Sequence, residues 1–301
     1  MSQWTAEASS ERGFFQSSDS GNFDPKAVAL TLSGGGYRAT LFHTGAILRL
    51  NELGVLSRLA RVSSVSGGSI TAGILAMNWA KLGLGGPGSV ASDDAIHQAL
   101  VQPVLRLTSK TLDVKGGFLG LVPWKSAGNE LAKLYDHWMF GGLKLKDLVE
   151  QPLFVFNATN LQTGYLFRFT RDYLLDSRAL RCEGHSALLS EAVAASSGFP
   201  PVLSPLRLDL PRSKVTKTRF TKGKFDDPML RRRPVLTDGG VYDNLGLESV
   251  WKACGVIISS YSGFNNDPRP DNFNFAHTPA VIETFLASSI DWRERVLIKL
   301  F

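Results

Sequence analysis

Cysteine is scarce in this chain. Cys182 and Cys254 are the only two in 301 residues and have no paired spacing, which excludes a disulfide-built scaffold. Histidine is thin as well: His43, His97, His137, His185 and His277 stand singly. With no CxxC, HExxH or mixed His/Cys cluster, no metal site is expected and no cofactor is called for. Long apolar runs are also missing. The nearest approach, residues 62–80, carries Ser63, Ser64, Ser66, Ser69, Thr71, Asn78 and three glycines, so it does not qualify as a membrane-spanning helix. The N-terminal stretch is polar and turn-rich, without the basic and then apolar regions of a secretory signal. The expectation is a cytoplasmic protein with a polar leader at 1–25 and one domain at 26–301.

What remains is globular composition, with 44% hydrophobic and 20% charged residues. Val28–Leu32 has strand character and runs into Ser33-Gly34-Gly35-Gly36. Residues 37–53 then place Ala39, Phe42, Ala46, Leu50 and Leu53 at spacings of three and four, a helix with one buried face, and Gly54 follows as its cap. Arg61–Val65 reads as a second strand, and Ile70, Ile74 and Met77 mark a second helix. Strand, helix, strand, helix within so short a stretch predicts an α/β fold with a mostly parallel central sheet flanked by helices. Further strands are expected at 153–157, 165–170, 234–237 and 255–260, and helices at 186–197 and 284–301, with helical and loop-rich chain between 93 and 150.

Charge is uneven. Residues 211–233 hold Arg212, Lys214, Lys217, Arg219, Lys222, Lys224, Arg231, Arg232 and Arg233 against Asp226 and Asp227, a local excess of +7 in a chain of net +6. Such a segment suits a polyanion, either nucleic acid or an anionic membrane surface, or it is simply a solvated loop.

Two glycine-rich turns carry chemistry. At Ser33–Arg38, backbone N–H groups at a helix start can bind a phosphate or the oxyanion of an acyl transfer. The spacing Gly34-x-Gly36-x-x-Ala39 fits a dinucleotide fingerprint, but the next strand ends in Val65-Ser66-Gly67 without the acid that would hold a ribose. The P-loop reading fails for lack of a Gly-Lys-Ser/Thr. At Ser64-Val65-Ser66-Gly67-Gly68, a strand turning into a helix through small residues is a near match to the nucleophile elbow G-x-S-x-G, with Ser64 in place of the first glycine. Two bases are available to Ser66: His277 in a late loop, or Asp238, which ends a strand and precedes Gly239 and Gly240. A carboxylate becomes a useful base once partly dehydrated.

Gly34-Gly35-Gly36-x-Arg38, the elbow at Ser66 and Asp238-Gly239-Gly240 occur together in the order seen in the patatin-like phospholipases, and the chain resembles that family from about Val28 to Ser260. Asn157–Asn160 and Ala194–Pro201 look like further family landmarks. The departures are Ser64 for glycine and Ala39 where glycine is frequent. The resemblance implies a patatin-like three-layer sandwich and a Ser66–Asp238 dyad that cleaves lipid acyl esters without histidine, as a phospholipase A or lysophospholipase does. It also implies an oxyanion hole from Gly34, Gly35 and Gly36, with Arg38 holding that loop or adding charge. His43 then reads as a packed helix residue, and Phe118–Trp124 as either a lid or core. The implied partners are a membrane phospholipid, met in transient contact at the membrane periphery, and an unknown activator or regulator. The alternative is a nucleotide- or nucleic-acid-binding α/β protein that uses the glycine loop and the basic segment without hydrolysis.

Overall fold

The computed structural model describes residues 23–109, 126–200, 202–263, 290–293, 295 and 298. Most of the leader, Phe118–Trp124, His277 and most of the C-terminal helix expected at 284–301 lie outside the described residues; 290–293 are helical.

The strands are β1 (Asp24–Leu32), β2 (Leu59–Ser64), β3 (Leu153–Asn160), β4 (Tyr165–Phe169), β5 (Tyr173–Asp176), β6 (Leu180–Glu183), β7 (Leu206–Arg207), β8 (Val215–Thr216), β9 (Val235–Asp238) and β10 (Cys254–Ser260). The longer helices are α1 (Gly36–Glu52), α2 (Gly67–Asn78), α3 (Ala127–Tyr135) and α4 (Leu189–Ser197). All the strands pair into one mixed sheet in the order β10-β1-β2-β3-β4-β5-β6-β8, with β9 also on β3 and β7 on β9. The strands β10, β1, β2 and β3, at one end of this order, are parallel, and α1 and α2 lie in the crossovers that join β1 to β2 and β2 to β3. Beyond β3 the sheet is extended by antiparallel pairing through β4, β5, β6 and β8. Strands β5 and β6 are not among the expected elements: each is four residues long, too short to show a period.

Alternation along the strands gives the sheet two covered faces. Leu30, Leu32, Val62, Phe154, Phe156 and Phe167 belong to the main core, together with Ile70, Ile74 and Leu75 of α2 and Val193 of α4. Ala29 points the other way, into a smaller cluster with Val250 and Cys254. Leu245, Leu247 and Ile290 form a third cluster. There Arg293, almost wholly buried, pairs with Asp243 at 3.2 Å and Glu248 at 3.6 Å. Helices on one face and the 240–254 segment on the other give the expected three layers. No helix among the described residues is long and apolar enough to cross a membrane.

Strand β3 does the placing. Along its first half it pairs with β2, up to Ser64 opposite Phe156. Along its second half it pairs with β9, which runs the opposite way and ends with Asp238 opposite Ala158. Two strands therefore approach each other head-on beside β3 and stop one residue apart, at Asn157.

Candidate active site

Ser66 occupies the turn between β2 and α2 with φ 51° and ψ −121°, the only non-glycine residue with positive φ among the described residues. A side chain held in that region costs on the order of 1–3 kcal/mol, so the surroundings must over-determine it. They do. The Ser66 N–H donates to Ser196 Oγ at 3.0 Å, and the Val65 N–H donates to the Leu32 carbonyl at 3.0 Å. Ser64, the departure from glycine, fits because its hydroxyl has partners: it donates to the Val155 carbonyl at 3.3 Å and accepts from Ser69 Oγ at 2.9 Å.

Beneath the turn lies a buried polar network centred on Asn157. Its Nδ2 donates to Ser63 Oγ at 2.8 Å and to the Ser64 carbonyl at 2.9 Å, and its Oδ1 accepts from Ser249 Oγ at 2.6 Å. Its carbonyl accepts from Ser196 Oγ at 2.6 Å. Arg168 Nε donates to Ser249 Oγ at 3.0 Å, and Ser63 Oγ donates to the Gly246 carbonyl at 2.6 Å. The sequence marks Asn157 and Ser196 only as landmarks; their roles lie in partners far along the chain.

Asp238 is delivered to the same place from the other side. Its N–H donates to the Gly198 carbonyl at 3.1 Å, and its own carbonyl accepts from Thr159 Oγ1 at 2.9 Å. Gly239 must be glycine, because a Cβ there would stand 2.2 Å from the Asn157 carbonyl oxygen. Burial pushes the Asp238 carboxyl up to about 6, while the Gly240 N–H and the Ser66 hydroxyl pull the other way. The Gly240 N–H reaches Oδ1 at 2.7 Å. Oδ2 is buried and has no hydrogen bond of ordinary geometry. The Ser66 hydroxyl is near enough to the carboxyl to oppose the effect of burial.

The glycine loop packs against the elbow. A Cβ on Gly34 would lie 3.2 Å from Ser66 Cβ and 2.1 Å from Asn244 Oδ1, and one on Gly67 would meet the Gly36 carbonyl at 2.1 Å. The three expected donors are not equivalent. The Gly34 N–H already donates to the Asn244 carbonyl at 3.0 Å. The N–H groups of Gly35 and Gly36, at the start of α1, have no acceptor among the described residues, and neither has that of Gly67, directly after the serine. Gly67 is not among the expected donors, although the elbow motif points to it. Arg38 is exposed and donates to the Gly263 carbonyl at 3.0 Å, a tether to the end of β10.

His43 is fully buried under this loop. Its Nε2 lies 2.8 Å from the Ser33 carbonyl, which can only accept, so Nδ1 accepts from Ser260 Oγ at 2.8 Å. Burial lowers its pKa to about 4, with the Ser33 contact opposing. It is a neutral brace for the glycine loop, in keeping with its reading as a packed helix residue. Tyr37 is a surprise. Its hydroxyl is buried without a partner, and burial pushes it up to about 12. The neighbouring Tyr135 bonds Ser197 at 3.3 Å and is raised chiefly by burial, with Tyr37 and Asp238 adding to it. Tyr135 thus lies within electrostatic reach of both Tyr37 and Asp238.

The basic segment lies elsewhere. Asp226 pairs with Lys217 at 2.6 Å and Arg231 at 2.7 Å, and Asp209 pairs with Arg232 at 3.6 Å and Arg233 at 3.5 Å. An open groove of about 520 Å³ lined by Asp209, Leu210, Pro211, Arg212 and Arg232 lies six residues up the chain from Asp238, roughly 20 Å away along extended chain, and is no part of the serine site.

A serine on a strained elbow, a dehydrated aspartate and a glycine loop on one side of an α/β sheet match a family already described at the level of whole domains. The model of the patatin-like phospholipases matches residues 30–251, and the chain belongs to that family. Among solved structures it is similar to human GIVD cytosolic phospholipase A2, at 13% identity over 84% of this chain and 44% of that one, with a TM-score of 0.43. It is also similar to VipD from Legionella pneumophila, at 16% identity over 80% and 48%, with a TM-score of 0.33. A third is the ExoU–SpcU complex of the Pseudomonas aeruginosa type III secretion system, at 16% identity over 92% and 52%, with a TM-score of 0.27. The chain spans about half the length of these proteins. No match is found among curated proteins.

Proposed function

We propose that this chain is a serine acyl hydrolase of lipids, of the phospholipase A or lysophospholipase type, working through Ser66 and Asp238. The observation that carries the reading is the buried Oδ2 of Asp238, unpaired and beside a serine hydroxyl on a strained turn. In the first step Ser66 Oγ attacks the ester carbonyl carbon and its proton passes to Asp238. The oxyanion takes hydrogen bonds from the N–H groups of Gly35, Gly36 and Gly67, each well-aimed donor supplying roughly 2.7–4 kcal/mol in the transition state. The C–O bond to the alcohol then breaks, and Asp238 returns the proton to the leaving oxygen. Water, deprotonated by Asp238, attacks the acyl-serine; the bond to Ser66 Oγ breaks, Asp238 returns its proton to Oγ, and the fatty acid leaves. Gly34 shapes the loop through its bond to Asn244, and Arg38 tethers it. The protein meets its substrate by transient contact with a membrane surface.

The test is mass-spectrometric: wild type and Ser66→Ala on mixed phospholipid vesicles, scoring free fatty acid and lysolipid. Release by the wild type alone supports the reading, and the lysolipid identifies the bond cleaved. Equal release by folded Ser66→Ala or Asp238→Asn overturns it.

A further inference from the structure

The basic segment is the largest feature the dyad does not use. Four of its nine cations are committed to Asp209 and Asp226, and Lys214 donates to the Gly184 carbonyl at 2.6 Å. Lys222 and Lys224 are exposed and pair with no acid among the described residues. Lys224, two residues from Lys222, sits within an aromatic ladder. Lys224 lies 5.3 Å from the Phe225 ring, and Arg219 lies 4.6 Å from Phe220. Arg178 bridges Phe220 at 5.6 Å and Tyr165 at 4.6 Å. The ladder leads to the catalytic segment: Phe225 meets Tyr165 edge-on at 6.0 Å, and Tyr165 meets Tyr242 at 6.3 Å, four residues after Asp238.

Large apolar side chains are exposed within a few residues of the ladder or of the residues bonded to β9. Leu161, Val202, Met229 and Val241 are each about half exposed. The Leu161 N–H donates to the Val235 carbonyl at 2.9 Å and Ser204 Oγ donates to Thr237 Oγ1 at 2.8 Å, so the 161 and 202–204 segments flank β9, the strand that ends in Asp238.

We propose that the face formed by Arg178, Lys222, Lys224, Phe225 and the exposed Leu161 and Met229 docks on an anionic bilayer and sets the serine site against it. The inference rests on the reading of Ser66 and Asp238 as a lipid hydrolase and names the surface that delivers the substrate. Cations alone would serve any polyanion. Exposed aliphatic side chains beside the catalytic strand gain only from a partner with an apolar interior, and rings carrying cations suit the headgroup layer, where one end is wet and the other dry. Each lysine held at an anionic surface strengthens binding about fivefold.

The experiment uses the full chain carrying Ser66→Ala, so that vesicles stay intact, in co-sedimentation with phosphatidylcholine vesicles and with equal parts phosphatidylcholine and phosphatidylserine. Expected is preference for the anionic vesicles that weakens with salt, and at least tenfold weaker binding for Lys222→Glu with Lys224→Glu. A charge-matched pair, Lys26→Glu with Lys146→Glu, is expected to bind like the parent. In chains with Ser66 intact, the Lys222/Lys224 pair is expected to cleave a soluble short-chain ester at the parental rate. Unchanged vesicle binding by the Lys222/Lys224 pair, equal losses in the control pair, or a lysine-dependent grip on duplex DNA without vesicle preference would each overturn the proposal. A parent that binds anionic vesicles but never cleaves the soluble ester counts against the hydrolase reading instead, so failure of the docking face and failure of the dyad are distinguishable.

Discussion

The chain beneath Ser66 and the groups gathered around the glycine loop and Asp238 follow opposite rules. Below, Ser63, Ser64, Ser69, Asn157, Ser196, Ser249 and Arg168 share a closed set of hydrogen bonds. Above, the Asp238 Oδ2, the Tyr37 hydroxyl and the N–H groups of Gly35, Gly36 and Gly67 have no partner among the described residues. Unmade hydrogen bonds in a dry place are expensive, and a fold tolerates them where a ligand completes them. Saturation below holds the strained turn; the unpaired groups above are the ones the proposed acyl transfer would use.

The sharpest contrast sets Asp238→Asn against Asn157→Ala. Asp238→Asn and Ser66→Ala are each expected to reduce fatty-acid release by about 10⁴-fold or more while leaving a cooperative fold. The carboxyl is raised from 3.8 to about 6 on folding, so the native state binds its proton more tightly than the unfolded state does. Its contribution is neutral below pH 4, turns unfavourable as pH rises through that interval, and costs roughly 3 kcal/mol above it. Asp238→Asn should therefore gain more thermal stability over wild type at pH 8 than at pH 4. A lower melting temperature at pH 8 would sink the assignment of an isolated, dehydrated carboxylate.

Asn157→Ala should do the reverse damage. It strands Ser63, Ser249 and the Ser64 carbonyl in the interior, and a loss of about 2–5 kcal/mol in urea unfolding is expected, with activity falling alongside. A variant as stable as wild type would mean that the network does not hold the turn.

A smaller effect is expected from pH. With Asp238 as base, kcat/KM on a soluble ester should fall tenfold per unit below about pH 6 and level off above, with one acidic limb. His43, at about 4 and braced between Ser33 and Ser260, adds nothing in that range. An unbroken plateau down to pH 5 would argue for a different base. The smallest effect belongs to Tyr37→Phe, which removes an unpaired hydroxyl: turnover should drop several-fold, and the melting temperature should hold or rise slightly. A marked loss of stability would reveal a structural partner instead.

The parts of this design that can be read along the chain are those written in neighbouring residues. The apolar runs at β1 and β2, their glycine turns, the presence of helices α1 and α2, and Asp238-Gly-Gly announce themselves locally; the buried face of α1 does not, because Phe42 and Leu53 of the expected stripe are about half exposed while Thr40, His43, Ile47 and Asn51 are buried. The paired edge of β3 does not, because it joins residues 64, 157 and 238, and strand pairing leaves no trace in local period. Short β6 is hidden because Arg181 and Glu183 point out and pair with each other, leaving two inward residues to show a pattern, and β5 because its four residues are all buried and show no alternation. The glycine loop is legible as a donor site, but which N–H groups it keeps depends on Asn244, two hundred residues away, whose carbonyl takes that of Gly34.

The head-on meeting of β2 and β9 at Asn157 also has a consequence in time. A ribosome releases the serine, its elbow and the glycine loop long before residue 238, and β9 has its place only once β3 is there to receive it. On the proposed reading a chain cut short of β9 carries Ser66 without Asp238, so acyl chemistry begins only once β9 has been made and docked on β3.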